Sequence, residues 1–138
     1  MKLSILIAML SFMYISYCNP NYLENDYKSS LVLYVSNQCF EIDPVDIIVN
    51  INNKQFIGED FFVQNQHGWK KFIVKLPKGK HEILIQSKNH DTMLIDEIEI
   101  RGNNLWALIN FVCPSEQNTG FLQKKFIFYT SETQIYLM

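Results

Sequence analysis

Sustained helical periodicity is the first thing this 138-residue chain lacks. Beyond residue 30 no stretch places its apolar residues at helical spacing, which excludes a helical bundle or a coiled coil. Nor does any mostly apolar run reach the ~20 residues that a bilayer-spanning helix needs, since Asn19-Pro20 cuts short the longest one. Glycine and proline are scarce, at five and four residues, and no low-complexity tract or linker divides the chain. Neither charge sign dominates. A net charge of -2 gives no bulk attraction to nucleic acid. The G-x-S-x-G elbow, the H-x-x-x-H pair and the D-x-D-x-D-G loop are all missing, so the common nucleophile, zinc and calcium spacings are absent. The chain reads as non-enzymatic, with no cofactor and no metal site.

What is present begins with an address. Lys2 and the chain amine make a positive start, residues 3–17 are uncharged and mostly apolar, and Asn19-Pro20 ends the segment abruptly. A basic start, a short apolar core and a helix-breaking exit describe a secretory signal over residues 1–18. The end of this segment leaves two readings open. Ile15-Ser16-Tyr17-Cys18 resembles the bacterial lipoprotein signal, in which the cysteine becomes the lipid-bearing first residue; Tyr17 stands where a small residue is usual. In the other reading, ordinary cleavage follows Cys18, with Ser16 and Cys18 as the small residues of the site. Residues 19–30 are polar and serve as a tether in both cases. Residues 31–138 then make one domain.

Either reading removes Cys18 and leaves Cys39 and Cys113. In an oxidising compartment two cysteines invite one disulfide, and two buried free thiols are the alternative.

The domain reads as strands throughout. Residues 31–35 are a short apolar run of β-formers. Ile47, Val49 and Ile51 alternate with Asp46, Ile48 and Asn50, placing one set toward the core. Asn52-Asn53 tolerates the positive φ that a two-residue hairpin turn requires, and residues 54–63 return with Gly58 marking a bulge or bend. Phe72, Val74 and Leu76 lead into Pro77-Lys78-Gly79, and His81, Ile83 and Ile85 come back, which reads as a second hairpin. Asn89-His90-Asp91 makes a further turn before residues 93–100. Residues 105–112, 126–129 and 135–137 complete the series. The expected fold is all-β: a single antiparallel β-sandwich of about 7–8 strands, immunoglobulin-like or transthyretin-like, preceded by a signal peptide.

The segment DIIVNINNKQFIGEDF … FIVKLPKGKHEILIQS resembles a module of secreted bacterial β-sandwiches, the PEGA-like and transthyretin-like domains. The resemblance spans about residues 46–100 and is carried by Val49, Asn52, Leu76, Gly79, His81, Ile83 and Ile85. The Pro-x-Gly-Ala element of a strict PEGA match is not there. The resemblance implies a fold and a surface-accessory role, and it transfers no functional residue.

Two polar clusters stand out. Gln66, His67 and Trp69 flank Gly68 in a loop where an aromatic face and an imidazole would suit a sugar or peptide. The plainer account tucks Trp69 under the next strand, and Trp106, inside an apolar run, is expected in the core. Lysines 70, 71, 75, 78 and 80 gather about one hairpin, and Lys71 and Lys75 would form a docking face for an acidic partner or lipid headgroups. Lysines also discourage edge pairing, and Asp96, Glu97 and Glu99 are placed to oppose them across the sheet. His81, in phase with Ile83 and Ile85, reads as a satisfied structural histidine. The expected function is that of an exported, lipid-anchored binding or accessory module of the cell envelope. Its partner would be an envelope protein or a glycan, with membrane contact through the lipid at Cys18. The alternative is a carbohydrate-binding module using residues 66–69.

Overall fold

The computed structural model describes residues 29–63, 68–114 and 123–137. It is an all-β sandwich. Eight strands run in chain order as β1 (Ser29–Asn37), β2 (Val45–Ile51), β3 (Lys54–Phe61), β4 (Lys70–Leu76), β5 (Gly79–Ser87), β6 (Thr92–Ile100), β7 (Asn104–Val112) and β8 (Lys125–Ser131). One sheet has the order β4-β1-β7-β8 and the other β3-β2-β5-β6. β1 begins at Ser29, inside the segment expected to be tether.

Two-residue alternation builds the interior. Leu31, Leu33, Val35, Ala107, Ile109 and Phe111 face Val45, Ile47, Val49, Ile51, Ile83 and Ile85, and all are at most 1% exposed. Each such side chain contributes roughly 1.5–3 kcal/mol of burial free energy, so this layer is the main stabilising force. Phe111 and Phe126 close one end edge to face, with centroids 5.3 Å apart.

The Asn52-Asn53 turn forms as its chemistry demands, with φ of 49° and 65°, and joins β2 to β3. Asp91, at φ 47°, lies in the turn joining β5 to β6. The strand bulge falls at Phe56 and not at Gly58: Val49 pairs with Ile57 and Asn50 with Gln55, while Gly58 pairs regularly with Ile48.

The expected second hairpin does not exist. β4 pairs with β1 in one sheet, whereas β5 pairs with β2 and β6 in the other. Pro77-Lys78-Gly79 is a crossover between sheets, with Gly79 at φ 123°, a conformation that side chains disfavour. Turn chemistry specifies a change of direction but not which strand the chain meets next. The sheets are also not wholly antiparallel, because β1 and β7 run parallel. Residues 134–137 form no strand.

Trp106 is not a core residue. In β7 both phases are apolar, and the inward set is Leu105, Ala107, Ile109 and Phe111. Trp106 therefore faces outward and is half-buried.

Candidate functional site

The disulfide grows out of the parallel pairing. Ser30 lies beside Asn104 and Asn37 beside Phe111, a constant offset along the two strands. Cys39 and Cys113 continue that offset just past both strand ends, with Cα atoms 5.1 Å apart, and are joined. Asn37, 2% exposed, organises the loop that follows. Its Nδ2 donates to the carbonyls of Ile42 (2.8 Å) and Phe61 (3.3 Å), and its Oδ1 accepts from the Cys39 amide (2.9 Å). Sequence reading gave Asn37 no role; a lone asparagine after an apolar strand carries no distinguishing local signal.

His81 is spent on structure. It is 5% exposed, its Nε2 donates to the Pro77 carbonyl at 2.8 Å, and its Nδ1 accepts from Asn52 Nδ2 at 2.8 Å. Asn52 Oδ1 in turn accepts from the Glu82 amide at 3.1 Å. The histidine thus ties the crossover to the β2–β3 turn. With both ring nitrogens engaged, no lone pair is left for a ligand.

Asp46 secures the opposite end of the same sheet. Its carboxylate accepts from the Ser87 hydroxyl and from the amides of Lys88 (2.9 Å) and Asn89 (3.3 Å). Burial pushes its pKa up, but the Ser87 hydroxyl and these amides bind the charged form more strongly, and the net displacement is downward. A folded-state pKa below the unfolded value adds stability that is present above about pH 4 and lost as pH falls through the lower folded value. The thermal midpoint is therefore expected to drop below about pH 4, and Asp46→Asn to flatten that drop. An identical acid profile in Asp46→Asn would contradict this assignment.

The Trp69 region is a cleft of about 510 Å³ between the edge strands β3 and β4, lined by Glu59, Asp60, Phe61, Phe62, Gly68, Trp69 and Lys70. Trp69 is half-buried and Phe62 is 55% exposed. Lys70 pairs with Glu59 and lies 5.9 Å above the Phe61 ring and 5.6 Å above Phe72. Aromatic faces beside carboxylates can stack on a sugar ring and accept from its hydroxyls. Gln66 and His67 lie outside the described residues, as does Cys18.

Lys71 and Lys75 share the outward face of β4. The Lys71 ammonium sits 5.9 Å from the Tyr34 ring, and Lys75 donates to the Ser30 hydroxyl at 2.7 Å. The acidic residues expected to oppose the lysine cluster meet Lys80 across the sheet but not Lys71 or Lys75. Asp96, Glu97 and Glu99 lie on β6 of the other sheet, where Glu97 pairs with Lys80 at 3.0 Å.

Among the described residues, no three His, Cys, Asp or Glu side chains converge as a metal site. No family model, curated protein or solved structure matches the chain.

Proposed function

We propose that this chain is an exported binding or accessory module of the cell envelope, anchored by lipid at Cys18, which acts through its surface and not by catalysis. The observation that carries this reading is where the side chains are spent. His81, Asp46 and Asn37 are committed to holding backbone, whereas Ile73, Met93, Ile95 and Tyr129 stand 58–63% exposed on the outer faces of the two sheets. Large apolar groups held outward on strands, with Met93 and Ile95 two residues apart on β6, are what a docking surface offers. A signal peptide over residues 1–18, ending at a cysteine, supports export. The disulfide is in keeping with an oxidising compartment. Two four-stranded sheets with chain crossings between them are compatible with the immunoglobulin-like or transthyretin-like type, and the PEGA-like resemblance over residues 46–100 belongs to the same proposal.

A second reading, a carbohydrate-binding module, is favoured by the cleft that sets Trp69 and Phe62 beside Glu59 and Asp60. Cell fractionation separates the possibilities. After a high-salt wash, which screens electrostatic contact with lipid, the native chain is expected to stay in the membrane fraction and Cys18→Ser to move to the soluble exported fraction. Unchanged fractionation of Cys18→Ser would refute the lipid anchor. Loss of polysaccharide retention in Trp69→Ala, with fractionation unaltered, would favour the glycan reading.

A further inference from the structure

The modest net charge conceals a strong separation. The strands of the β4-β1-β7-β8 sheet contain four lysines (Lys70, Lys71, Lys75, Lys125) and no aspartate or glutamate. The strands of the other sheet contain seven carboxylates (Asp46, Glu59, Asp60, Glu82, Asp96, Glu97, Glu99) against two lysines, Lys54 and Lys80. The first set sums to +4 and the second to 2 - 7 = -5, over the same eight strands. The sandwich is an electric dipole across its thickness.

The register shows what the basic sheet turns outward. Val32 lies between Ile73 and Trp106, and Tyr34 between Lys71 and Leu108. Leu108 lies beside Tyr129, and Asn110 beside Ile127. Ile73 and Tyr129 are each 58% exposed and Ile127 43%, while Lys71, Lys75 and Lys125 are exposed at the two flanks. Ile73 lies between Lys71 and Lys75 along the edge strand β4, and Ile127 and Tyr129 follow Lys125 along the edge strand β8, whereas Val32 is buried and Trp106 and Leu108 are half-buried on the strands between them. Exposed aliphatic and tyrosine side chains interleaved with lysines make the composition of a bilayer-contacting surface. Lysines near an anionic surface each add attraction, and the acidic sheet is repelled by it, so the dipole also fixes which side approaches.

The chain's own connection is compatible with this contact. β1, which opens at Ser29, is an inner strand of this sheet. Residues 19–28 separate it from Cys18, and the eleven steps from Cys18 to Ser29 span at most ~40 Å when fully extended. We infer that the outward face of the β4-β1-β7-β8 sheet, which exposes Ile73 beside Lys71 and Lys75 on one edge strand and Tyr129 on the other, lies against an anionic lipid bilayer. Anchorage at Cys18 is not required for this contact, so the two can fail separately.

The test uses residues 19–138, which hold every described strand, the core and the disulfide, with circular dichroism confirming β structure in each variant. Co-flotation is measured at low ionic strength with vesicles of phosphatidylcholine alone, and with about one-third phosphatidylglycerol. Binding is expected only to the anionic vesicles. Lys71→Glu/Lys75→Glu is expected to lower the partition coefficient at least ~10-fold. Ile73→Ser/Tyr129→Ser is expected to lower it also, and Met93→Ser/Ile95→Ser on the acidic sheet to leave it unchanged. Four outcomes overturn the inference. They are no binding, equal binding to both vesicles, an unaltered partition for the lysine variant, and a dimer that Ile73→Ser/Tyr129→Ser dissociates while vesicles bind neither form. The last would assign the face to a second copy of the chain.

Discussion

Replacing Cys39 and Cys113 by alanine is expected to lower the thermal midpoint by roughly 15–25 °C. The disulfide closes a loop between residues 74 apart in sequence, and removing such a closure from the unfolded ensemble is worth about 4 kcal/mol. A domain of about 110 residues falls between the small-domain and large-domain values, so each kcal/mol moves the midpoint by about 4–6 °C, which sets the range. Native geometry favours the upper part, because the bond continues a register that β1 and β7 already impose and needs no displacement of either strand. Calorimetry of the oxidised protein, the reduced protein and the double alanine variant checks it. Reduced and alanine forms should agree, and a shift under about 5 °C would mean that the cross-link constrains little.

Asn37→Ala carries the second large effect, a loss of about 3 kcal/mol in urea unfolding with little change in the slope. Removing the amide leaves the Ile42 and Phe61 carbonyls and the Cys39 amide without their partner, and buried groups so abandoned cost about 1–3 kcal/mol each. Asn37→Asp keeps the acceptor for Cys39 and loses both donations, so it should still be clearly destabilised. Asn37 and the disulfide hold the same loop. Their combined removal should cost less than the two separate losses added together, since neither can release a segment the other has already freed. Strict additivity would show that they act on independent parts of the fold.

Strand positions and inward faces were legible because a two-residue period exposes them. Ile47, Val49 and Ile51, and His81, Ile83 and Ile85, all fall on the buried side. Where both phases are apolar the period is silent. β7 has Trp106 and Leu108 in one phase and Leu105, Ala107 and Ile109 in the other, and only the neighbouring sheet decides which set is enclosed. Pairing was illegible for a related reason. Pro77 to Gly79 encodes a reversal, but β4 leaves its sequence neighbour for β1, and that choice depends on contacts distant along the chain. The charge separation followed the pairing. Lys71 and Lys75 are close in sequence to Lys80, yet the crossover puts Lys80 among the carboxylates of the other sheet. Short segments in which lysine is the only charged residue type, such as residues 70–76 and 125–131, were the available signal, and their significance appears only once they share a sheet.

The outward basic face exists only if β4 belongs with β1. Cross-strand nuclear Overhauser contacts on isotope-labelled residues 19–138 test this directly. Contacts linking Val32 to both Ile73 and Trp106, with none between the backbones of β4 and β5, are the expected result. Regular β4–β5 cross-strand contacts, as in a Pro77–Gly79 hairpin, would contradict the two-sheet arrangement and with it the surface proposed to meet the bilayer.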